Sequence, residues 1–121
     1  MYHITLDAAA RLFTISWTGH VDPEEAQCCH EEIQQHLSNI KPGFRMLTDL
    51  SDLESMDFTC STQIDRMMDL FNKCGVETIV RVIPNPRKDI GFSIMSLFHY
   101  SHGVHIVTCK TMEEAKRILP V

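Results

Sequence analysis

The first twenty residues alternate between apolar and polar side chains. Phe13, Ile15 and Trp17 are each separated by a hydroxyl-bearing residue, and this period of two predicts a strand with one buried face. Residues Tyr2 to Leu6 lie just before it and supply an antiparallel partner, with a turn around Asp7 to Ala10. The chain is therefore predicted to open with a β-hairpin.

Apolar positions then recur at intervals of three and four, which predicts helices. The segment Asp22-Pro23-Glu24-Glu25 begins the first helix, because it combines an N-cap residue, a first-turn proline and a carboxylate three residues after the cap. Pro42-Gly43 ends it. Its buried stripe is predicted to be Ala26, Cys29, Ile33, Leu37 and Ile40. A second stripe consists of Ile64, Met67, Met68, Phe71 and Cys74, with Gly75 as a left-handed cap.

The remaining apolar segments complete an α/β domain. Further strands are predicted at Phe44–Leu50, Thr78–Ile83 and Val104–Thr108, and further helices at Asp89–Ser101 and Thr111–Leu119. The order is ββαβαβαβα, and right-handed crossovers then require a single mixed, mostly parallel five-stranded sheet with helices packed on it. We expect the following residues to be mainly buried: Ile15, Trp17, Met46, Ile79, Val80, Val82, Ile106 and Val107.

Size and charge limit the range of functions. A chain of 121 residues fits one domain, here residues 1–121. The formal charge of −5 disfavours nucleic acid as a partner. The sequence has no apolar run long enough to span a membrane and no secretion signal at its start, so a cytoplasmic location is expected. Five cysteines without a Cys-x-x-Cys spacing predict reduced, mostly buried thiols.

Polar loops at the carboxyl ends of the parallel strands are the expected place for a site. These loops are predicted at Asp49–Thr62, Asn85–Asp89 and Cys109–Thr111. Polar residues at such positions are also typical of ordinary helix caps. The candidate residues for binding a ligand or partner are Asp49, Ser51, Asp57, Ser61, Asn85, Arg87 and Lys88.

One of these segments resembles a known family. Leu47-Thr48-Asp49-Leu50-Ser51, followed after a short gap by Met56-Asp57-Phe58-Thr59-Cys60-Ser61, is similar to the central stretch of STAS domains, the SpoIIAA-like fold of bacterial anti-sigma-factor antagonists. The resemblance implies that fold for the whole chain. In that family an Asp-Ser-Ser-Gly motif begins a helix, and a partner kinase phosphorylates its second serine. Thr59 lies at that serine position, whereas Phe58 and Cys60 replace a small residue and the glycine.

The resemblance implies a non-catalytic regulatory module that binds a kinase or an anti-sigma-type regulator, with Thr59 as its switch. No nucleophile, base and orienting group occur together, although the sequence does not decide whether the protein is an enzyme. No cofactor is predicted. The alternative is a protein, or weak enzyme, that binds a small anionic or lipid-like ligand at the carboxyl-end loops.

Three other features suggest little chemistry. The spacing of His99, His102 and His105 does not place all three on one helix face, so no metal site is predicted. In Cys28-Cys29-His30 we expect a buried cysteine beside a surface histidine rather than a reactive pair. The predicted third helix is apolar nearly all round, which implies either deep burial or a surface covered by a partner and leaves open a homodimer or a hydrophobic ligand.

Overall fold

The computed structural model describes residues 1–85, 100 and 103–119. The elements run in the order β1 (Tyr2–Asp7), β2 (Leu12–Val21), α1 (Pro23–Leu37), β3 (Arg45–Met56), a 3₁₀ turn (Phe58–Cys60), α2 (Ser61–Lys73), β4 (Thr78–Val82), β5 (His105–Cys109) and α3 (Met112–Ile118). The helix predicted at Asp89–Ser101 lies outside the described residues, apart from Tyr100. None of the helices that the structure describes is long and apolar enough to cross a membrane.

The five strands form one sheet in the order β1-β2-β3-β4-β5. Strands β1 and β2 are antiparallel, with Ile4 opposite Ile15, and each later neighbour is parallel. The mixed, mostly parallel sheet predicted from the element order is therefore confirmed. Asp22 caps α1 as expected, accepting a hydrogen bond from the Glu25 amide at 2.8 Å.

The two faces of the sheet are covered differently. Helices α1 and α2 pack on one face, over a core that includes Phe13, Phe71 and Ile79. The shorter α3 covers β4 and its neighbours on the other face, where Val80 and Ala115 are fully buried. Of the eight residues predicted to be buried, six are; the exceptions, Ile106 and Val107, are half-buried because β5 lies at the edge of the sheet.

The strand predicted at Phe44–Leu50 was wrong at its carboxyl end. Strand β3 continues to Met56, because β2 also continues to Val21 and the two remain paired. Leu53, which is 6% exposed, anchors this extension in the core. The first part of the predicted polar loop is consequently a strand, which changes how the candidate residues are distributed.

The sequence prediction for Cys28-Cys29-His30 was partly wrong. Cys29 is fully buried, but His30 is buried too, at 8% exposure, and only Cys28 is exposed. His30 follows Ala26 by four residues and precedes Ile33 by three, so it falls on the buried face of α1. All five cysteines are free thiols, as predicted, and three of them are buried.

Candidate functional site

The turn between β3 and α2 holds the candidate switch residue. Thr59 lies in the 3₁₀ turn and is exposed. Its hydroxyl donates a hydrogen bond to Asp57 Oδ1 at 2.8 Å, and its backbone N–H donates to the same oxygen at 3.1 Å. One carboxylate oxygen of Asp57 therefore orients the Thr59 hydroxyl and caps the turn.

The end of β2 holds this turn in place. The Val21 carbonyl accepts a hydrogen bond from the Asp57 amide at 2.9 Å and a weak one from the Cys60 thiol at 3.7 Å. Cys60 is fully buried, and its burial raises the pKa of the thiol. The side chain that replaces the family's glycine therefore points into the protein and adds no bulk to the surface.

Phe58 behaves in the opposite way. Its side chain is 87% exposed, directly beside Thr59. Large aromatic side chains bury much apolar area when a partner covers them, which makes them frequent anchors at interfaces. The turn thus presents a hydroxyl and an uncovered aromatic ring side by side.

The electrostatics of the turn are dominated by Asp57. The two hydrogen bonds from Thr59 favour the ionised carboxylate and, with a smaller contribution from nearby His20, hold the pKa of Asp57 below its ordinary value. His20 Nδ1 lies 2.7 Å from Ser55 Oγ. Sequence reasoning missed both residues, because only the extended pairing of β2 with β3 brings them together: His20 is the register partner of Ser55.

Helix α2 begins immediately after the turn. Its N-cap is Cys60, which makes no side-chain capping hydrogen bond, and Ser61 is its first residue. Ser61 is exposed, so a second hydroxyl lies near Thr59 at the positive end of the helix. The site therefore unites Asp57, Thr59 and Ser61 of the sequence-predicted candidates.

Asp49 and Ser51 form a separate cluster. Asp49 Oδ1 accepts hydrogen bonds from the Ser51 hydroxyl at 2.6 Å and from its amide at 2.9 Å. The pairing of β3 with β4 stops at Asp49. Beyond this point the Asp49 carboxylate, rather than a neighbouring strand, accepts the hydrogen bond of the Ser51 amide. At about 3.3 Å per strand residue, the eight-residue separation places Asp49 roughly 25 Å from Asp57.

Asn85 is the one remaining candidate among the described residues, and it follows the end of β4, the strand that pairs with β3 at Asp49. Asp49 pairs with Val82 at the end of β4, and Asn85 follows three residues later, exposed. Arg87 and Lys88 lie outside the described residues. In the part of the chain that the structure describes, His, Cys, Asp and Glu side chains form no group of three that could hold a metal ion.

Comparison with known proteins supports the fold through structure rather than sequence. No family model matches the chain, and no curated protein matches it in sequence. An uncharacterised protein of the DUF3478 family from Shewanella loihica, described as having a SpoIIAA-like fold, superposes with a TM-score of 0.75 at 10% identity, covering 98% of this chain and 93% of its own.

Anti-sigma factor antagonists superpose nearly as well. The Bacillus cell fate determinant SpoIIAA in its phosphorylated form gives a TM-score of 0.65 at 14% identity, covering 98% of this chain and 99% of its own. An anti-sigma factor antagonist from Mycobacterium paratuberculosis gives 0.62 at 14% identity, covering 100% and 96%. The described part of the chain therefore has the SpoIIAA-like fold, as the central motif predicted.

Proposed function

We propose that the protein is a non-catalytic regulatory module that binds a protein partner and is switched by phosphorylation of Thr59. The observation that carries the proposal is the exposed Thr59 hydroxyl, held by Asp57 at the junction of β3 and α2. The hydroxyl lies at the position of the phosphorylated serine in the resembling motif. The similarity in fold to anti-sigma factor antagonists supports the same role.

A phosphate on Thr59 would change the turn in two opposing ways. It would remove the hydroxyl proton that Thr59 donates to Asp57 and place nearly two negative charges beside that carboxylate. The start of α2, which has no side-chain cap, would stabilise the same charges through its backbone amides. The net effect is a local rise in negative charge on a fold that stays intact.

The partner is a kinase or an anti-sigma-type regulator, by resemblance. Phe58 offers it an apolar anchor beside Thr59. A phosphorylated Thr59 would then weaken binding only where the partner presents an acidic or apolar surface to that position. Binding of the unmodified protein and its loss on phosphorylation are therefore separate, testable statements.

Phosphorylation is tested first, with extracts of the native cell and ATP. The purified wild type should gain one phosphate that maps to the peptide containing Thr59. Thr59→Ser should retain the modification, Thr59→Val should lose it, and Ser61→Ala should behave like the wild type. Modification of Ser61 instead of Thr59 would contradict the assignment.

The switch is tested by affinity capture with matched variants. A partner retained by the wild type and by Thr59→Gln, but lost by Thr59→Glu, would support a switch that depends on charge. Because the residue is exposed, the variants should differ in stability by no more than about 0.5 kcal/mol. Identical partner sets for Thr59→Gln and Thr59→Glu would contradict it.

A further inference from the structure

A cavity of about 510 Å³ lies at the end of the sheet opposite the Thr59 turn. It opens between the β1–β2 turn and the segment that joins α1 to β3, at the amino ends of the parallel strands. Its volume falls within the range of small-molecule sites, about 300–1,000 Å³. The lining residues are Leu6, Ala8, Ala9, Arg11, Asn39, Ile40, Lys41 and Phe44.

The lining combines an apolar body with a cationic edge. Five of its residues are apolar, among them Leu6 and Ile40, which are half-buried. Its charged residues are both cations, Arg11 and Lys41, and both are exposed. Because the lining contains no carboxylate, the cavity favours an anion that carries an apolar group.

Arg11 is held in an uncommon backbone conformation at the edge of this cavity. Its φ of +53° is the one left-handed value among the non-glycine residues that the structure describes, a conformation that costs a bulky residue roughly 1 kcal/mol or more. The Arg11 carbonyl accepts from the Arg45 amide at 2.8 Å, and its guanidinium donates to the Pro42 carbonyl. One contact leaves guanidinium donors for a ligand.

We propose that this cavity binds a small carboxylate with an apolar chain, the carboxylate paired with Arg11 and Lys41 and the chain against Leu6 and Ile40. The site is independent of the Thr59 turn. It also differs in position from the carboxyl-end loops at which the sequence placed an anionic ligand. The protein would therefore carry a ligand site and a partner surface at opposite ends of one sheet.

The test is an NMR titration of the ¹⁵N-labelled chain with octanoate. The amide signals of Ala8, Ala9 and Ile40 should shift and saturate, and octan-1-ol and octylammonium should bind more weakly. Lys41→Gln should weaken octanoate binding about two- to fivefold, the range of an exposed ion pair. Arg11→Gly should weaken it as well without lowering the melting temperature by much, because glycine adopts a positive φ without strain.

Lys116→Gln, an exposed change on α3, is the matched control and should leave the octanoate affinity unchanged. Equal binding of octanoate and octan-1-ol would overturn the proposed role of the cations. Shifts confined to residues around Lys110, at the carboxyl end of the sheet, would overturn the assignment of the site. Neither result would bear on phosphorylation of Thr59.

Discussion

Among the glycines that the structure describes, Gly75 is the one at which an added methyl group should lower the free energy of unfolding most. It follows α2 with a φ of +90°, and its carbonyl accepts a hydrogen bond from the Gly43 amide at 2.7 Å. A Cβ at Gly75 would lie 2.7 Å from Pro42 Cβ and 3.0 Å from Pro42 Cα. Gly75→Ala therefore combines a disfavoured backbone conformation with a clash against a rigid ring.

The two costs can be separated within the same protein. A left-handed conformation costs a residue with a Cβ about 1–2 kcal/mol, and displacing a packed neighbour adds about 1–3 kcal/mol. Gly75→Ala should lower the free energy of unfolding by about 2–5 kcal/mol. Gly19→Ala should lose only the conformational part, because Gly19 has a φ of +66° and no atom within 4 Å of an added Cβ.

Gly43→Ala should fall between these limits. Its φ is +88°, and the added Cβ would meet the flexible end of Arg11 at 3.1 Å. The assay is urea unfolding followed by the fluorescence of Trp17, the chain's one tryptophan, which is 3% exposed. With a urea dependence of about 2 kcal/mol/M, the middle of the usual range, the midpoint of Gly75→Ala should drop by roughly 1–2.5 M. Equal losses for Gly19→Ala and Gly75→Ala would refute the role assigned to Pro42.

Two further predictions follow from the ionisable groups. Thr59→Val should raise the pKa of Asp57 toward its ordinary value, but only in part, because the backbone hydrogen bond from residue 59 remains. An NMR pH titration of the Asp57 carboxyl carbon measures this pKa, and an unchanged value would contradict the prediction. Burial, with the nearby charge of Arg66, lowers the pKa of His30 in the fold, so the unfolded chain binds the proton more readily. The stability due to neutral His30 is therefore present above about pH 6.5 and lost as the pH falls toward the lowered value. His30→Gln should show a smaller drop in urea midpoint between pH 7.5 and 5.5 than the wild type, and an equal drop would count against this account.

The fold class could be predicted from the sequence because the strongest hydrophobic patterns are local. The alternation around Ile15 and the helical stripe through Ile33 each identify an element without knowledge of its neighbours. The alternation of strands with crossover helices then requires the later strands to be parallel. The same reasoning failed at β3 beyond Leu50, where Leu50 and Leu53 are three residues apart and the period of two is lost. The register shifts at Ser16/Thr18 and Gly19/His20 in β2 account for this irregularity.

The sequence predicted the candidate site only where its residues are close together in the chain. Asp57 and Thr59 are two residues apart, so their hydrogen bond follows from a local turn. His20 reaches Ser55 only through strand pairing, across 35 residues of sequence. Arg11 and Lys41 line one cavity but come from two connecting segments with no periodic pattern, so the hydrophobic pattern of the sequence contains no signal that predicts the cavity.

The structure also decides which departures from the resembling motif affect the surface. A residue in place of the motif's glycine would obstruct a partner only if its side chain pointed outward. Cys60 is instead fully buried, and its thiol contacts the Val21 carbonyl from within. Phe58, in contrast, adds an exposed ring beside Thr59 without covering that residue. Thr59 therefore remains exposed, while the surface around it differs from one that has a small residue at position 58. Under the proposed function, a partner that fits this turn would have to accommodate an aromatic side chain, so the departure at Phe58 would alter the choice of partner rather than the access to Thr59.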